Sequence, residues 1–554
     1  MDWKKIKVGL VTLSAVVALV ACGNGGESSS SSTESTPAGE KVVFNLPAGA
    51  EIPTMDSTKV TDVEGFQALG STAEGLYRNA PDGKGYDVAL AAEKPTVSED
   101  GLTVTYKLRD TKWSNGDPLT ANDFVYAWQR LVDPATAAEY SYLIGGVIEN
   151  ADAIIKGEKQ PSELGVKAID DKTLEVKLET SVPYLESLLA MAPLYPLNKA
   201  YVEEQGDKYA SDSDHLLYIG PYLLTKWDGT GLSWTYVKNP DYWDADVVKA
   251  DEINVQVVKE VSTGLNLFDT GALERVVLTG EYVVQRKADP NFVTEGTSAV
   301  FFIRQNVSDR AIEALKNKNI RKALAMSIDK TLYTENVLQN GSFVANGLVP
   351  ANLAANPKTK EDFRAENGDL LKFDAAQAKT YWETGLKELG ITGLTLRFLS
   401  DDSENAKRSS EFIQAQLQDN LPGLTINLEN VPFKVRLQKS KEQDFDLVLS
   451  GWSADFADPI NYLELFETTN GNNDSKFSNA EYDALIAAAR KETKDLDKRW
   501  ADLLAAEKIL MEEAGIAPLY QRARAALMSK SIGTLPVYLV GPDYDYKYLT
   551  KAAQ

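Results

Sequence analysis

Two hydrophobic periods alternate along this chain from about Val42 onward without forming a repeat, and that alternation is what most restricts the fold. Apolar residues two apart mark strands at Leu102-Val104-Tyr106-Leu108, Leu174-Val176-Leu178, Leu232-Trp234-Tyr236 and Ile253-Val255-Val257, with further strands expected over 394–399, 424–428 and 445–450. Helical patterns run between them. Thr120 and Asp123 read as an N-terminal cap pair ahead of Phe124, Trp128 and Leu131, and Ser478 with Glu481 as a capping box ahead of Leu485. Asp374 with Gln377 opens another helix that Gly390 ends, and 497–514 closes in the same way at Gly515. This mixture predicts an α/β protein of several lobes. The 554 residues correspond to three or four domains of about 150 residues, or to one discontinuous assembly.

Composition then removes classes of function. The chain has one histidine, one cysteine and a net charge of −23, with a sequence pI near 4.7. A zinc site built from His and Cys needs several such ligands, and Ser-His-Asp or Cys-His catalysis needs a placed histidine. Only His215 is available, and its surroundings, Asp212-Ser213-Asp214-His215-Leu216, read as a polar surface loop. The acidic balance leaves no basic footprint for nucleic acid. No phosphate-binding glycine loop, dinucleotide fingerprint or HExxH is present, so no cofactor and no metal site is expected. Carboxylate-based hydrolysis stays open, since 81 acidic residues always contain pairs that could face a cleft.

The N-terminus explains the single cysteine. Lys4, Lys5 and Lys7 precede an apolar run over 8–21. At about 1.5 Å per residue that run covers roughly 21 Å, short of the roughly 30 Å hydrocarbon core, which is the layout of a secretory signal. It ends in Leu19-Val20-Ala21-Cys22, which resembles the lipobox of bacterial lipoproteins, in which the signal is cut before a cysteine that then carries lipid. Residues 23–39 hold six Ser, four Gly and two Thr, a composition that reads as a disordered tether. The expected organisation is thus a signal peptide over 1–21 and a lipidated Cys22 with its tether over 22–40. An acidic body anchored by lipid to the bacterial cell membrane belongs outside the cytoplasm.

Longer phrases point to one family. Lys112-Trp113-Ser114-Asn115-Gly116-Asp117-Pro118-Leu119-Thr120, running on through Asp123 and Trp128 to Leu131, resembles a stretch of the extracytoplasmic oligopeptide-binding proteins of ABC importers. Further matches follow in order: Ile219-Gly220-Pro221-Tyr222, Asn239-Pro240-Asp241-Tyr242-Trp243-Asp244-Ala245, Ile320-Arg321-Lys322-Ala323-Leu324 with Ile328-Asp329, and Gly451-Trp452-Ser453-Ala454-Asp455-Phe456-Ala457-Asp458-Pro459. The resemblance implies a three-lobed periplasmic-binding-protein-like clamshell of type II that encloses its ligand between two lobes. By analogy lobe I takes 41–73, 194–293 and 522–554, lobe II 74–193 and lobe III 294–521. The implied function is capture of extended oligopeptides and their delivery to the membrane subunits of an ABC importer, whose ATPase subunits work on the cytoplasmic side. A monomer is expected. The same fold binding another solute, or a signalling peptide as a receptor, is the first alternative. A carboxylate-dependent extracellular hydrolase is the second.

Residue by residue, the run over 445–450 reads as a buried strand, Asp458 as an N-cap and Pro459 as the first residue of a helix, which puts Trp452 and Asp455 on the turn between them. Ligands collect at such strand ends. The resemblance implies that Asp455 binds the peptide's α-ammonium group and that Trp452 walls a side-chain pocket. The competing readings are a turn-forming Asp bonded to its own backbone and plain core packing. Phe433, where the family suggests a Trp, and Tyr520 are carried over more weakly and could equally be core. Glu51 is expected in the ligand groove or in a solvated loop. One departure matters: enteric relatives have an Arg three residues before the tryptophan, facing a short peptide's carboxylate, whereas this chain has Leu449.

Overall fold

The computed structural model describes residues 41–83, 85–180, 182 and 184–553. The signal segment, Cys22 and the Ser/Gly tether lie outside the described residues. Three larger sheets organise the rest. The first is four-stranded, in the order Val43–Ala48, Glu252–Val257, Ser233–Lys238 and Tyr222–Thr225, with the first pair parallel and the others antiparallel. Its inner face follows the period-two reading, since Phe44, Leu46, Ile253, Val255, Trp234 and Tyr236 are all buried. The second sheet is antiparallel and runs Thr96–Val97, Thr103–Lys107, Thr173–Lys177, Val166–Asp170.

The third sheet has seven strands. Its path is Arg275–Leu278, Ile516–Met528, Phe292–Gln305, Leu447–Trp452, Leu394–Asp401 and Leu424–Val431, with Phe343–Val344 paired to Ile516–Met528. Leu394–Asp401 lies parallel to both neighbours, and helices Ala375–Leu389 and Glu404–Asn420 flank it in sequence, which is how parallel strands are joined. The long strands Phe292–Gln305 and Ile516–Met528 pair twice, Phe292–Gly296 against 523–527 and Val300–Arg304 against 516–521, with a register shift between Gly296 and Val300. Thr297 Oγ1 donates to the Arg522 carbonyl at 2.7 Å and fastens this bulge.

The predicted caps mostly hold. Helix Ala121–Val132 starts from Thr120, whose N–H donates to Asp123 at 2.9 Å, and it buries Phe124, Trp128 and Leu131. Ala375–Leu389 starts at Asp374 and ends on Gly390 in the left-handed region at φ 67°. Two caps differ from expectation. Asn479, not Ser478, caps helix Ala480–Lys491: its Oδ1 accepts from both Glu481 and Tyr482 N–H at 3.0 Å, while Ser478 accepts from Thr468 Oγ1. After Leu496–Glu512 the left-handed residue is Ala514, φ 45°, rather than Gly515. Gly515 is instead a close-approach site, because a Cβ there would sit 2.6 Å from Leu510 Cδ1 and 2.8 Å from Phe477 Cδ2. His215 lies in a partly exposed turn with Nδ1 2.7 Å from Asp212 Oδ1.

Candidate functional site

Strand Leu447–Trp452 ends at an aromatic rather than before it, so Trp452 closes the strand and only the following residues form the turn. The next helix is Ile460–Leu463, one residue later than expected. Asp458 still works at its N-terminus: Oδ1 accepts from Ile460 N–H at 2.9 Å, and the two carboxylate oxygens take a bidentate pair from Arg499 at 2.9 Å each. The turn is fixed from inside by Asn461. Its Oδ1 accepts from the Asp455 N–H at 2.8 Å and from Trp452 Nε1 at 3.3 Å, and its Nδ2 donates to Asp455 Oδ2 at 3.1 Å.

Asp455 is 5% exposed. Besides Asn461, its one side-chain donor among the described residues is the Tyr140 hydroxyl, 3.3 Å from both carboxylate oxygens, and a single hydroxyl proton serves only one of them at a time. Among the described residues no lysine or arginine makes an ion pair with it. Burial therefore dominates and pushes its carboxyl up to about 7. Tyr140 also stacks on Trp452, ring centroids 5.9 Å apart and 17° between planes, and on Tyr142 at 5.7 Å. The sequence reading found neither Tyr140 nor Asn461. Asn461 was within reach, six residues past Asp455, whereas Tyr140 sits 315 residues away and nothing local marks it.

Trp452 and Asp455 line a cavity of about 450 Å³ together with Phe433, Tyr520 and Leu449. Phe433 opens helix Phe433–Lys441, with the Arg436 guanidinium 5.3 Å from its ring. Tyr520 lies on the long strand, stacks on Phe301 at 4.9 Å and 2°, and also lines a second cavity of about 300 Å³. Phe301, Ser403, Asn405, Arg522 and Asp543 belong to both walls, so the two cavities adjoin along one groove. Four of the five expected residues thus gather around a single space. Glu51 is the exception. Its Oε1 accepts from the Lys434 N–H at 3.2 Å and its Oε2 lies 3.7 Å from Lys259 Nζ, so it ties the 41–73 segment to helix Phe433–Lys441 behind the wall.

Cations in the groove come from residues that the sequence did not single out. Arg304 pairs with Asp474 at 3.3 Å and donates to the Asn472 carbonyl. Across the opening, Lys441 Nζ meets Glu139 Oε1 at 2.6 Å. Among the described residues no group of three or more His, Cys, Asp and Glu side chains is gathered for a metal ion. A groove with an acid at one turn, aromatic walls and scattered guanidinium groups is suited to holding a polar, elongated molecule by charge and hydrogen bonds.

Residues 88–474 match the model of the bacterial extracellular solute-binding proteins, family 5 Middle. The chain is 36% identical to a dipeptide-binding protein of Lactococcus lactis subsp. cremoris, over 98% of each chain. Among solved structures, Listeria monocytogenes OppA bound to peptide superposes with a TM-score of 0.90 at 47% identity, covering 93% of this chain and 100% of that one. The pheromone receptor PrgZ gives 0.88 at 37% identity, with 93% and 100% covered. The Escherichia coli murein tripeptide binding protein MppA matches at a TM-score of 0.83 in one structure, covering 94% of this chain and 100% of that one, and at 0.58 in its unliganded open form, covering 93% and 98%, at 28% identity in both. The sheets, the groove and these likenesses together place the chain among the bacterial extracellular solute-binding proteins of family 5, with their type II clamshell fold.

Proposed function

We propose that this protein captures extended oligopeptides outside the cytoplasm and delivers them to the membrane subunits of an ABC importer. The observation that carries this reading is Asp455: a buried carboxylate on the wall of the groove, held by neutral donors and, among the described residues, without a cation. A peptide's α-ammonium group supplies the missing charge, and burying that ammonium without a carboxylate would be costly. Main-chain groups of an extended peptide can pair strand-like with the groove, which gives affinity without reading side chains. Ordered water in roomy pockets around Trp452, Phe433 and Tyr520 would accommodate varied side chains at small cost. Transport energy comes from the importer's ATPase subunits.

The lobe borders that we propose, near 293 and 522, fall beside the Gly296–Val300 bulge of the two long strands. A bulge interrupts the ladder locally and is a natural place for the lobes to rock about the groove. Solution scattering with and without peptide measures that motion. Cys22 is proposed as the lipidated N-terminus and the body as a monomer, which membrane fractionation of Cys22→Ser and sedimentation test in turn. The likeness to PrgZ supports a second reading, reception of a signalling peptide. Mass spectrometry of peptides that co-purify separates the two: many unrelated sequences favour uptake, one dominant sequence favours signalling.

Asp455→Ala tests the main reading. Losing one partner of a buried charge pair costs about 2–5 kcal/mol, so peptide affinity should fall by roughly 30-fold to several thousand-fold. Acetylating the peptide's N-terminus should weaken wild-type binding similarly and add little in the variant, because both changes remove the same interaction. A variant that binds free and acetylated peptides as the wild type does would reduce Asp455 to a turn residue.

A further inference from the structure

The groove also contains a cation left over. Tyr520, Arg522 and Arg524 alternate along strand Ile516–Met528 and therefore share one face, which Arg275 of the adjoining strand Arg275–Leu278 joins at the second cavity. Three guanidinium groups meet two carboxylates there. Arg275 pairs with Glu295 at 2.9 Å, and Arg524 pairs with Asp543 and reaches Glu295 at 3.3 Å. Arg522 is left with Asp543 alone, 3.8 Å from its Nη2, which is too long for a hydrogen bond. Its Nε and Nη2 are buried without an acceptor, as are Nε of Arg275 and Nε and Nη2 of Arg524, but those two guanidinium groups each have a carboxylate within 3.3 Å, whereas among the described residues that of Arg522 donates to no group. The Phe301 ring lies 5.6 Å from its guanidinium. Glu64 also lines both cavities, but burial raises its carboxyl to about 8, so at neutral pH it is mostly uncharged and adds little negative charge.

Buried guanidinium donors without acceptors are expensive to leave unmet, and a carboxylate satisfies two of them at once in a fork. At the other candidate position for meeting a carboxylate, the wall is Leu449, which is apolar and 8% exposed. We propose that Arg522 receives a carboxylate of the bound peptide, so that the groove recognises an acid on a different wall from the one occupied by Leu449. This rests on the peptide reading above and adds a specificity-determining residue to it. Two sources present the same chemistry: the peptide's C-terminal carboxylate, at the length that reaches Arg522, or an Asp or Glu side chain part-way along it.

The test measures dissociation constants of the full mature protein, wild type and Arg522→Gln, for a length series of peptides in three forms. These are a free acid with neutral side chains, its C-terminal amide, and the amide with a single Glu moved along the sequence. Arg522→Gln should weaken the carboxylate-bearing forms about tenfold or more and leave the neutral amide within about twofold. A loss confined to free acids of one length identifies the C-terminus as the source, and a loss confined to Glu at one position identifies a side chain. Equal losses for all three forms, or no loss at any length or position, would overturn the assignment. Should the Gln variant fail to fold, Arg522→Lys keeps the charge but loses the fork, and is read in the same way: a smaller loss restricted to carboxylate peptides supports the site, a uniform or absent loss overturns it. N-acetylated peptide in the same series keeps the two proposals apart. If acetylation weakens wild-type binding while Arg522 shows no carboxylate dependence, peptide capture through Asp455 stands and only the Arg522 site fails.

Discussion

Two buried carboxylates of this protein live under opposite rules. Glu507, on helix Leu496–Glu512, is 0% exposed and receives five donors. Arg364 grips it bidentately at 2.7 and 2.8 Å, the Leu348 and Val349 N–H groups donate at 2.8 and 2.9 Å, and Asn367 donates at 2.6 Å. Asp455, 5% exposed, has a shared phenol proton, one amide N–H and no cation among the described residues. A carboxylate whose charge is answered inside the chain holds the fold together. One whose charge is not answered is costly to keep ionised, and that cost is recovered only when something cationic arrives from outside. The difference teaches how to tell a structural acid from a binding acid when both are buried: count the donors and look for the cation.

The largest effect should come from breaking the self-sufficient region. Glu507→Ala leaves Arg364 buried and unpaired, so the protein should lose about 3–5 kcal/mol of stability in denaturant titration, with peptide affinity of the folded fraction changed little. A small loss would mean that Glu507 is no better satisfied than Asp455.

Asp455→Asn should act in the opposite direction on the empty protein. The folded-state carboxyl titrates near 7, above its ordinary value of 3.8, so ionising it opposes folding. No penalty exists below about pH 4, where the group is protonated folded and unfolded; it grows as pH rises towards 7 and is constant above that. At about 1.36 kcal/mol per pH unit the ceiling is about 4 kcal/mol, and the gap in stability between Asp455→Asn and wild type should open over this window. Equal pH profiles for the two proteins would show that Asp455 is already satisfied.

The smallest effect belongs to the rim. Lys441 and Glu139 bridge the groove at 2.6 Å with side-chain exposures of 56% and 18%. Such half-solvated pairs contribute about 0.2–1 kcal/mol and are screened by salt. Lys441→Ala should therefore weaken peptide binding less than about fivefold, an effect that fades in high salt. A larger, salt-insensitive loss would put Lys441 in the same class as Asp455.

Short-range order in this chain is written in short-range sequence. The period of two placed strand Glu252–Val257 to within a residue, and Asp374 and Gly390 bounded their helix, because a strand's pleat and a helix's caps depend on neighbours a few positions away. Leu449 could be read as the absence of a cation from its identity alone, and the motif around Trp452 and Asp455 put both on the groove wall. Even locally, Ser478 lost its cap to Asn479, since either residue type can do the job and only the surrounding contacts choose. What the tertiary structure alone decided is the charge balance. Asp455 is held by Tyr140 from 315 residues away, and Glu51, expected either in the groove or in a solvated loop, is buried and spans 383 residues to helix Phe433–Lys441. Arg522 is left over only because Glu295 and Asp543 are taken by Arg275 and Arg524, four residues from two distant stretches of chain. Whether a buried charge is answered depends on which atoms come within a few ångströms of it, and in a discontinuous fold those atoms are set by the packing of segments that the sequence keeps far apart.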